Sequence, residues 1–310
     1  MPAFTADDGT ELAFHVMGEG EPLLCLPGGP MRASAYLGDL GGLSRHRQLV
    51  MLDLRGTGDS GVPADPATYR CDRQVPDVEA LRRHLGLEHV DVLAHSAAGD
   101  LALLYAARHP ERVRTLTLVT ARARALGVDF TDEHRREAAA LRAAEPWYGA
   151  TRDAFERTLA GTATDADWDA VAPYFYGRWD EAAQAHAVLD VAQTNEKAGE
   201  IYPSPDAFDP ATTRAAIASP AAERGRLPGG WVRFVGDCGS VVAGRAVPRA
   251  PEGTLPAPSA IMLASPDEPR TCPPAGGGVG RCVVRPSRRF GLRPPAPCTS
   301  KGPYAHPATG

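Results

Sequence analysis

The stretch Val90-Asp91-Val92-Leu93-Ala94-His95-Ser96-Ala97-Ala98-Gly99-Asp100-Leu101-Ala102-Leu103-Leu104 passes from an apolar strand pattern straight into an apolar helix pattern, with one serine at the junction. A strand and a helix joined this abruptly must approach closely, and the small side chains of Ala94 and Ala98 on either side of Ser96 permit it. The bend lifts the Ser96 hydroxyl off the backbone, beside the unpaired N–H groups that begin a helix. This is the layout of a nucleophile elbow. Its usual form is Gly-x-Ser-x-Gly, and alanine stands at both glycine positions here, so an ordinary strand-to-helix connection that carries a serine is the competing reading.

Two upstream segments decide between them. In Pro22-Leu23-Leu24-Cys25-Leu26-Pro27-Gly28-Gly29-Pro30 a short buried-type strand ends in a loop too rich in Gly and Pro to continue it. Such a loop leaves backbone N–H groups free. If the Gly29 and Ala97 amides converge they form an oxyanion hole, which stabilises the charge that develops on a carbonyl oxygen during acyl transfer; standing alone, the same residues are a tight turn. The third segment, Gln48-Leu49-Val50-Met51-Leu52-Asp53-Leu54-Arg55-Gly56-Thr57-Gly58-Asp59-Ser60, is again a strand followed by a glycine-punctuated turn. Asp53 and Arg55 are expected to brace that turn rather than to act in catalysis, since Arg–carboxylate pairs are common braces.

With these three motifs in order, residues from about Thr10 to Val119 resemble the first half of an α/β-hydrolase, and specifically the proline iminopeptidase group. That group shows His-Gly-Gly-Pro-Gly where this chain has Pro27-Gly28-Gly29-Pro30-Met31, and Asp-x-Arg-Gly-x-Gly-x-Ser where it has Asp53-Leu54-Arg55-Gly56-Thr57-Gly58-Asp59-Ser60. Pro27 replaces the His, Met31 the last Gly, and Ala97 the Trp that often follows the nucleophile. The resemblance therefore implies a hydrolase more firmly than an aminopeptidase. It implies an α/β fold with a mostly parallel sheet and a helical cap, acting through an acyl-Ser96 intermediate on a small ester, amide or N-terminal imino-peptide bond, with no metal or organic cofactor.

Strands are expected near Leu12–Val16, Leu23–Leu26, Leu49–Leu52, Val90–Ala94 and Thr115–Val119, and helices over Gln74–Leu85 and Ala97–Arg108. Alternation of this kind makes a parallel sheet whose reactive groups gather at the carboxyl ends of the strands, where Ser96, Gly29 and Asp53 all fall. Residues 1–122 are thus read as the first half of the core. From 123 to 206 the pattern is helical without strands, over Asp132–Ala144, Ala150–Leu159, Asp165–Phe175 and Glu181–Gly199, where the resembled family inserts its cap. Eight aromatics crowd into residues 147–179. Phe155 and Trp168 sit at amphipathic positions expected in the cap's own core, whereas Trp147, Tyr148, Tyr174 and Tyr176 are candidates for a substrate pocket. An iminopeptidase would also need a cap carboxylate for the substrate ammonium, and Glu145, Glu181, Glu196 and Glu200 are available without a spacing that singles one out.

A chain of 310 residues with 43% hydrophobic content can bury one large core and carry a cap. The first ten residues hold no apolar run of signal-peptide length and no later stretch matches a bilayer, so a cytoplasmic protein without membrane association is expected. Six cysteines follow no metal or disulfide spacing, and Cys25 and Cys71 read as free thiols, Cys25 buried in its strand. The expected partner is a small molecule or short peptide. Oligomeric state is not written in the pattern.

Beyond about Ser219 the composition changes. Residues 221–310 hold 15 of the 29 prolines, 14 of the 32 glycines, four of the six cysteines, and 12 basic against 5 acidic side chains in a chain whose net charge is −5. Residues 207–310 should complete the core with a strand ending in a triad acid and a loop carrying a triad histidine. Trp231–Asp237 and Ser259–Ala264 are the candidate strands, offering Asp237, or Asp267 and Glu268, as the acid, and His306 is the candidate base. A serine hydroxyl is a weak nucleophile without such a base. Two further expectations attach to this segment, translation out of frame past about residue 219 or a genuine divergent or disordered extension, and the alternative to a working enzyme is a catalytically inactive hydrolase-fold protein or frameshifted fragment that lacks a working His and Asp. Nucleic-acid binding by its scattered arginines is not expected, because no aromatic interleaving accompanies them.

Overall fold

Short apolar runs, each closed by a Gly- or Pro-bearing turn, lie side by side and in parallel through the middle of the protein, as strands buried on both faces must. The computed structural model describes residues 2–218 together with the backbone of two further strands at 232–235 and 241–244. In chain order the strands are β1 Ala3–Thr5, β2 Glu11–Met17, β3 Pro22–Leu26, β4 Gln48–Leu52, β5 Val90–His95, β6 Val113–Val119, β7 Val232–Val235 and β8 Val241–Gly244. Their order across the sheet is β1-β2-β4-β3-β5-β6-β7-β8. The run β4-β3-β5-β6-β7 is parallel, and β1, β2 and β8 join antiparallel at the edges. This is the α/β-hydrolase architecture, with the five strands expected between Leu12 and Val119 in place. β1 was not legible: three residues inside a polar segment carry no period, and the strand exists because Phe4 packs into the core beside Phe14.

Alternation along the central strands divides the core in two. Leu24, Leu26, Val50, Leu52, Val92 and Ala94 face helices α1 (Val75–His84) and α2 (Ala98–Arg108), whose Val78, Leu81, Leu101 and Tyr105 close that side. Leu23, Cys25, Leu49, Met51 and Leu93 face the other way, under Leu37 and the 34–43 turns. Cys25 and Cys71 are free and buried; burial pushes the Cys25 thiol up to about 12, so neither its reactivity nor a metal-binding thiolate is favoured.

Two buried carboxylates of the core, Asp77 and Asp91, are paired with arginine. Arg55 forms a fork with Asp77 in the first turn of α1, at 2.8 and 2.6 Å, and reaches Asp8 at 2.6 Å. At the opposite end of β5, Asp91 receives Arg47, Arg114 and Thr115 at 2.7 to 2.9 Å; burial opposes its charge, yet these donors hold the carboxyl down at about 2. Arg55 and Asp53 do brace the turn after β4, but not with each other. Asp53 accepts the amides of Ser34 at 2.7 Å and Asp59 at 3.0 Å and bonds His15 at 2.8 Å.

From Asp132 to Ile217 the chain is mainly helical: α3 Asp132–Ala140, α4 Tyr148–Leu159, α5 Asp165–Val171, α6 Glu181–Val188, α7 Asp190–Gln193, α8 Glu196–Ile201 and α9 Pro210–Ile217. Two expectations need correction. The helix expected over Glu181–Gly199 is three helices, because Thr194 is extended and pairs with Arg32 while Asn195 caps α8 through the Ala198 amide. Trp168, expected in the cap's own core, is 55% exposed, since α5 turns Asp167 and Val171 inward and leaves the next position outside. α9 returns to the core and packs on α2.

Replacing Arg55 by Ala strands the Asp77 carboxylate in the interior. We expect a loss of about 3–5 kcal/mol in unfolding free energy by urea titration, partly recovered when Asp77→Asn is added.

Candidate active site

β5 ends at His95 and α2 begins at Ala98, so the chain turns from strand to helix over two residues. Ser96 makes that turn in the left-handed region at φ 53°, a conformation that costs a non-glycine residue about 1–3 kcal/mol. Three backbone hydrogen bonds hold it there: its amide donates to Val119 at 3.0 Å, and its carbonyl accepts from Gly99 at 3.0 Å and Arg122 at 2.9 Å. Ser96 is partly exposed while Ala94, Ala97 and Ala98 are buried. The closest helix approach falls at Gly99, where a Cβ would stand 2.5 Å from that of Ala121 and against the Arg122 carbonyl. In the sequence that close approach is marked by the glycine three places after the serine, not by the alanines two before and two after it.

The loop after β3 lies against this turn. Gly28 is buried, and a Cβ on it would meet the His95 carbonyl at 2.7 Å, Ser96 Cβ at 2.8 Å and the Ala97 amide at 3.3 Å. Only glycine lets the loop sit so close. Among the described residues, neither the Gly29 nor the Ala97 amide donates a hydrogen bond, whereas the Gly28 amide donates to Tyr36 Oη at 2.7 Å. Tyr36 Oη also lies 2.6 Å from His95 Nδ1. His95 is therefore tied to the glycine loop. It is no base for Ser96: burial, assisted by Arg32, pushes it down to about 4, and its Nδ1 is taken by Tyr36.

The helical region reaches the same loop. Arg32 lies over the Tyr36 ring at 4.7 Å, bonds Gln193 at 2.8 and 3.0 Å and pairs with Asp190 at 2.7 Å. His186 Nε2 donates to the Tyr36 carbonyl at 2.9 Å, and its Nδ1 lies 2.8 Å from Tyr176 Oη. Of the four aromatic candidates, Tyr176 thus joins the network beside Ser96. Trp147, Tyr148 and Tyr174 form a separate cluster with Phe155, with ring centroids 4.8 to 6.2 Å apart about Tyr174. Tyr148, Phe155 and Tyr174 line a cleft of about 210 Å³ with Arg136 and Arg152. Glu181, Glu196 and Glu200 are exposed, and Glu145 bonds Arg142 at 3.1 Å.

Asp237, Asp267, Glu268 and His306 lie outside the described residues, and no described residue hydrogen-bonds Ser96 Oγ. His15, Asp53 and Asp59 bring three potential metal ligands within 4.8 Å, but both Asp53 oxygens already accept amide hydrogens.

Comparison with known proteins bears on the fold family. A family model for the alpha/beta hydrolase fold matches residues 21–162. That segment belongs to the α/β-hydrolase fold family. Over 117 residues the chain is 36% identical to a proline iminopeptidase of Lactobacillus helveticus, a match covering 36% of this chain and 40% of that protein. It is 30% identical over 118 residues, 37% of each protein, to a cis-3-alkyl-4-alkyloxetan-2-one decarboxylase of Shewanella oneidensis. The matched region thus spans less than half the length of these curated relatives. Among solved structures, the enol-lactonase from Burkholderia xenovorans is 19% identical with a TM-score of 0.46, covering 76% of this chain and 90% of that one. Among the described residues no helix is long and apolar enough to cross a membrane.

Two outcomes test the turn. Ser96→Gly relieves the left-handed strain that Ser96→Ala retains, so the glycine variant should be the more stable by about 1 kcal/mol in urea unfolding. For His95 the folded group titrates near 4 and the unfolded one near 6.5, so the unfolded chain binds its proton first as the pH falls. Stability should drop between pH 6.5 and 4 by up to about 3 kcal/mol, and His95→Asn should flatten that part of the profile.

Proposed function

We propose that the protein is a serine hydrolase that moves the acyl group of a small ester or amide first to Ser96 Oγ and then to water. The observation that carries this reading is the left-handed, part-exposed Ser96 with Gly28 pressed against it and the Gly29 and Ala97 amides unclaimed by described residues. In the first step Ser96 Oγ bonds to the substrate carbonyl carbon, and the developing oxyanion takes the two amide hydrogens. The Ser96 proton passes to a base and on to the departing alcohol or amine; water then displaces the acyl group and Ser96 regains a proton.

His306 is the proposed base, with Asp237 or Asp267 as its carboxylate partner. Register supports Asp237. His95 pairs with Val119 and Val119 with Val235, so β7 ends level with the strand that carries Ser96, two residues before Asp237.

Electrostatics favour esters and simple amides over substrates with a free ammonium. Asp190, the helical-region carboxylate that reaches the loop network, is paired with Arg32, and the other candidate carboxylates of that region are exposed or bonded to Arg142. The shared motifs and the identity to proline iminopeptidases support N-terminal imino-peptide hydrolysis as a second reading.

A fluorophosphonate probe tests the chemistry, with labelling expected for the wild type and lost in Ser96→Ala. His306→Ala should reduce labelling at least tenfold if His306 is the base. Short acyl esters are expected to turn over faster than prolyl arylamides, and a preference for the free prolyl amine would decide for the second reading.

A further inference from the structure

We infer that Tyr36 is a positioning residue for the anion hole, its hydroxyl cross-linking the glycine loop to the residue before the nucleophile. The inference rests on the Ser96 reading for its catalytic consequence, and on geometry alone for the link. An anion hole needs two elements distant in sequence, the 27–30 loop and the 96–98 turn, to keep a fixed spacing. Their direct contact, through Gly28, is van der Waals and sets only how near they come. Orientation requires a directional bond, and Tyr36 Oη supplies it by meeting the Gly28 amide at 2.7 Å and His95 Nδ1 at 2.6 Å.

The direction of each bond follows from what the groups hold. The Gly28 N–H can only donate, so Tyr36 Oη accepts there and has one proton left to give. Burial pushes the Tyr36 phenol well above its ordinary range, so that proton stays on oxygen, and neutral His95 offers Nδ1 as acceptor. His95 accordingly carries its own proton on Nε2. The chain Gly28 N–H to Tyr36 O–H to His95 Nδ1 leaves every member satisfied and turns the Gly28 amide away from the substrate, with the Gly29 amide free.

Tyr36 is itself gripped from outside the core. Arg32 covers its ring at 4.7 Å, and the His186 Nε2–H donates to its carbonyl at 2.9 Å while His186 Nδ1 faces Tyr176 Oη at 2.8 Å. Helix α6 is thereby connected to the glycine loop through one side chain. Tyr36→Phe keeps the ring and deletes the cross-link, leaving the Gly28 N–H and His95 Nδ1 without partners in a buried place, so the loop must swing to satisfy them.

The test uses the full chain and the fluorophosphonate probe. Tyr36→Phe should lower the limiting labelling rate about 10- to 100-fold, less than the roughly 100- to 1000-fold that outright removal of an oxyanion donor costs, with the probe concentration for half-maximal rate unchanged. His95→Leu should match it, His95→Asn, which keeps an acceptor near the Nδ1 position, should stay within about threefold of wild type, and the Tyr36→Phe/His95→Leu double variant should be no slower than either single one. Amide hydrogen exchange gives a readout independent of activity: Gly28 should exchange at least tenfold faster in Tyr36→Phe and His95→Leu, with β3 and β5 unchanged. Should Tyr36→Phe not fold, the two His95 variants carry the same comparison. A labelling rate or a Gly28 exchange rate that stays at its wild-type value in Tyr36→Phe or His95→Leu overturns the inference. If the wild type takes no label, the hydrolase reading falls, and Gly28 exchange alone decides whether Tyr36 positions the loop.

Discussion

One residue held in an unfavourable backbone conformation organises the rest of the site. A non-glycine residue in the left-handed region relaxes unless its neighbours prevent it, and at Ser96 they do: the β6 carbonyl of Val119 takes its amide, and Gly99 and Arg122 give theirs to its carbonyl. With the strand fixed on one side and α2 on the other, the hydroxyl has nowhere to go but outward. The same turn leaves the Ala97 amide at the head of α2 without a helical partner, so the proposed nucleophile and the proposed anion donor arise from one feature of the backbone.

A second constraint acts at a distance. The loop bearing Gly29 has no regular structure of its own, and its position is set by groups from three other segments. Asp53, buried at the end of β4, collects the amides of Ser34 and Asp59 and the ring of His15. Arg32 and the Ala33 amide bond Gln193, and the Asn195 amide bonds the Met31 carbonyl, fastening the helical region to the other flank. Tyr36 closes the circuit by joining Gly28 to His95. Buried polar groups without partners are costly, and here each partner also holds the loop in place.

Much of the fold was legible because a parallel sheet writes itself as apolar runs. Leu23–Leu26 and Leu49–Leu52 are buried on both faces and carry no polar interruption, Val90–Ala94 is interrupted only by Asp91 at its start, and Val75, Val78 and Leu81 recur at the helical period on α1. What escaped was whatever lacked a period. β1 is three residues tied down by Phe4; the break in the helix expected over Glu181–Gly199 occurs because Thr194 pairs with Arg32, a residue 162 positions earlier. Trp168 fitted an amphipathic pattern equally well facing inward or outward, and the side chain of Asp167 took the inward place through Thr164 and Arg157.

By itself the sequence determined the strand-to-helix turn at Ser96, the two glycine loops and the order in which they occur, because these depend on local sterics and on small residues at fixed offsets. Tertiary structure alone decided which groups meet across that framework: that Arg55 pairs with Asp77 and not Asp53, that Gly99 bears the close approach, that Tyr36 joins Gly28 to His95, and that Asp190 is neutralised by Arg32. Hydrogen bonds and ion pairs between segments depend on separations of a few tenths of an ångström after packing, and no spacing along a chain records them.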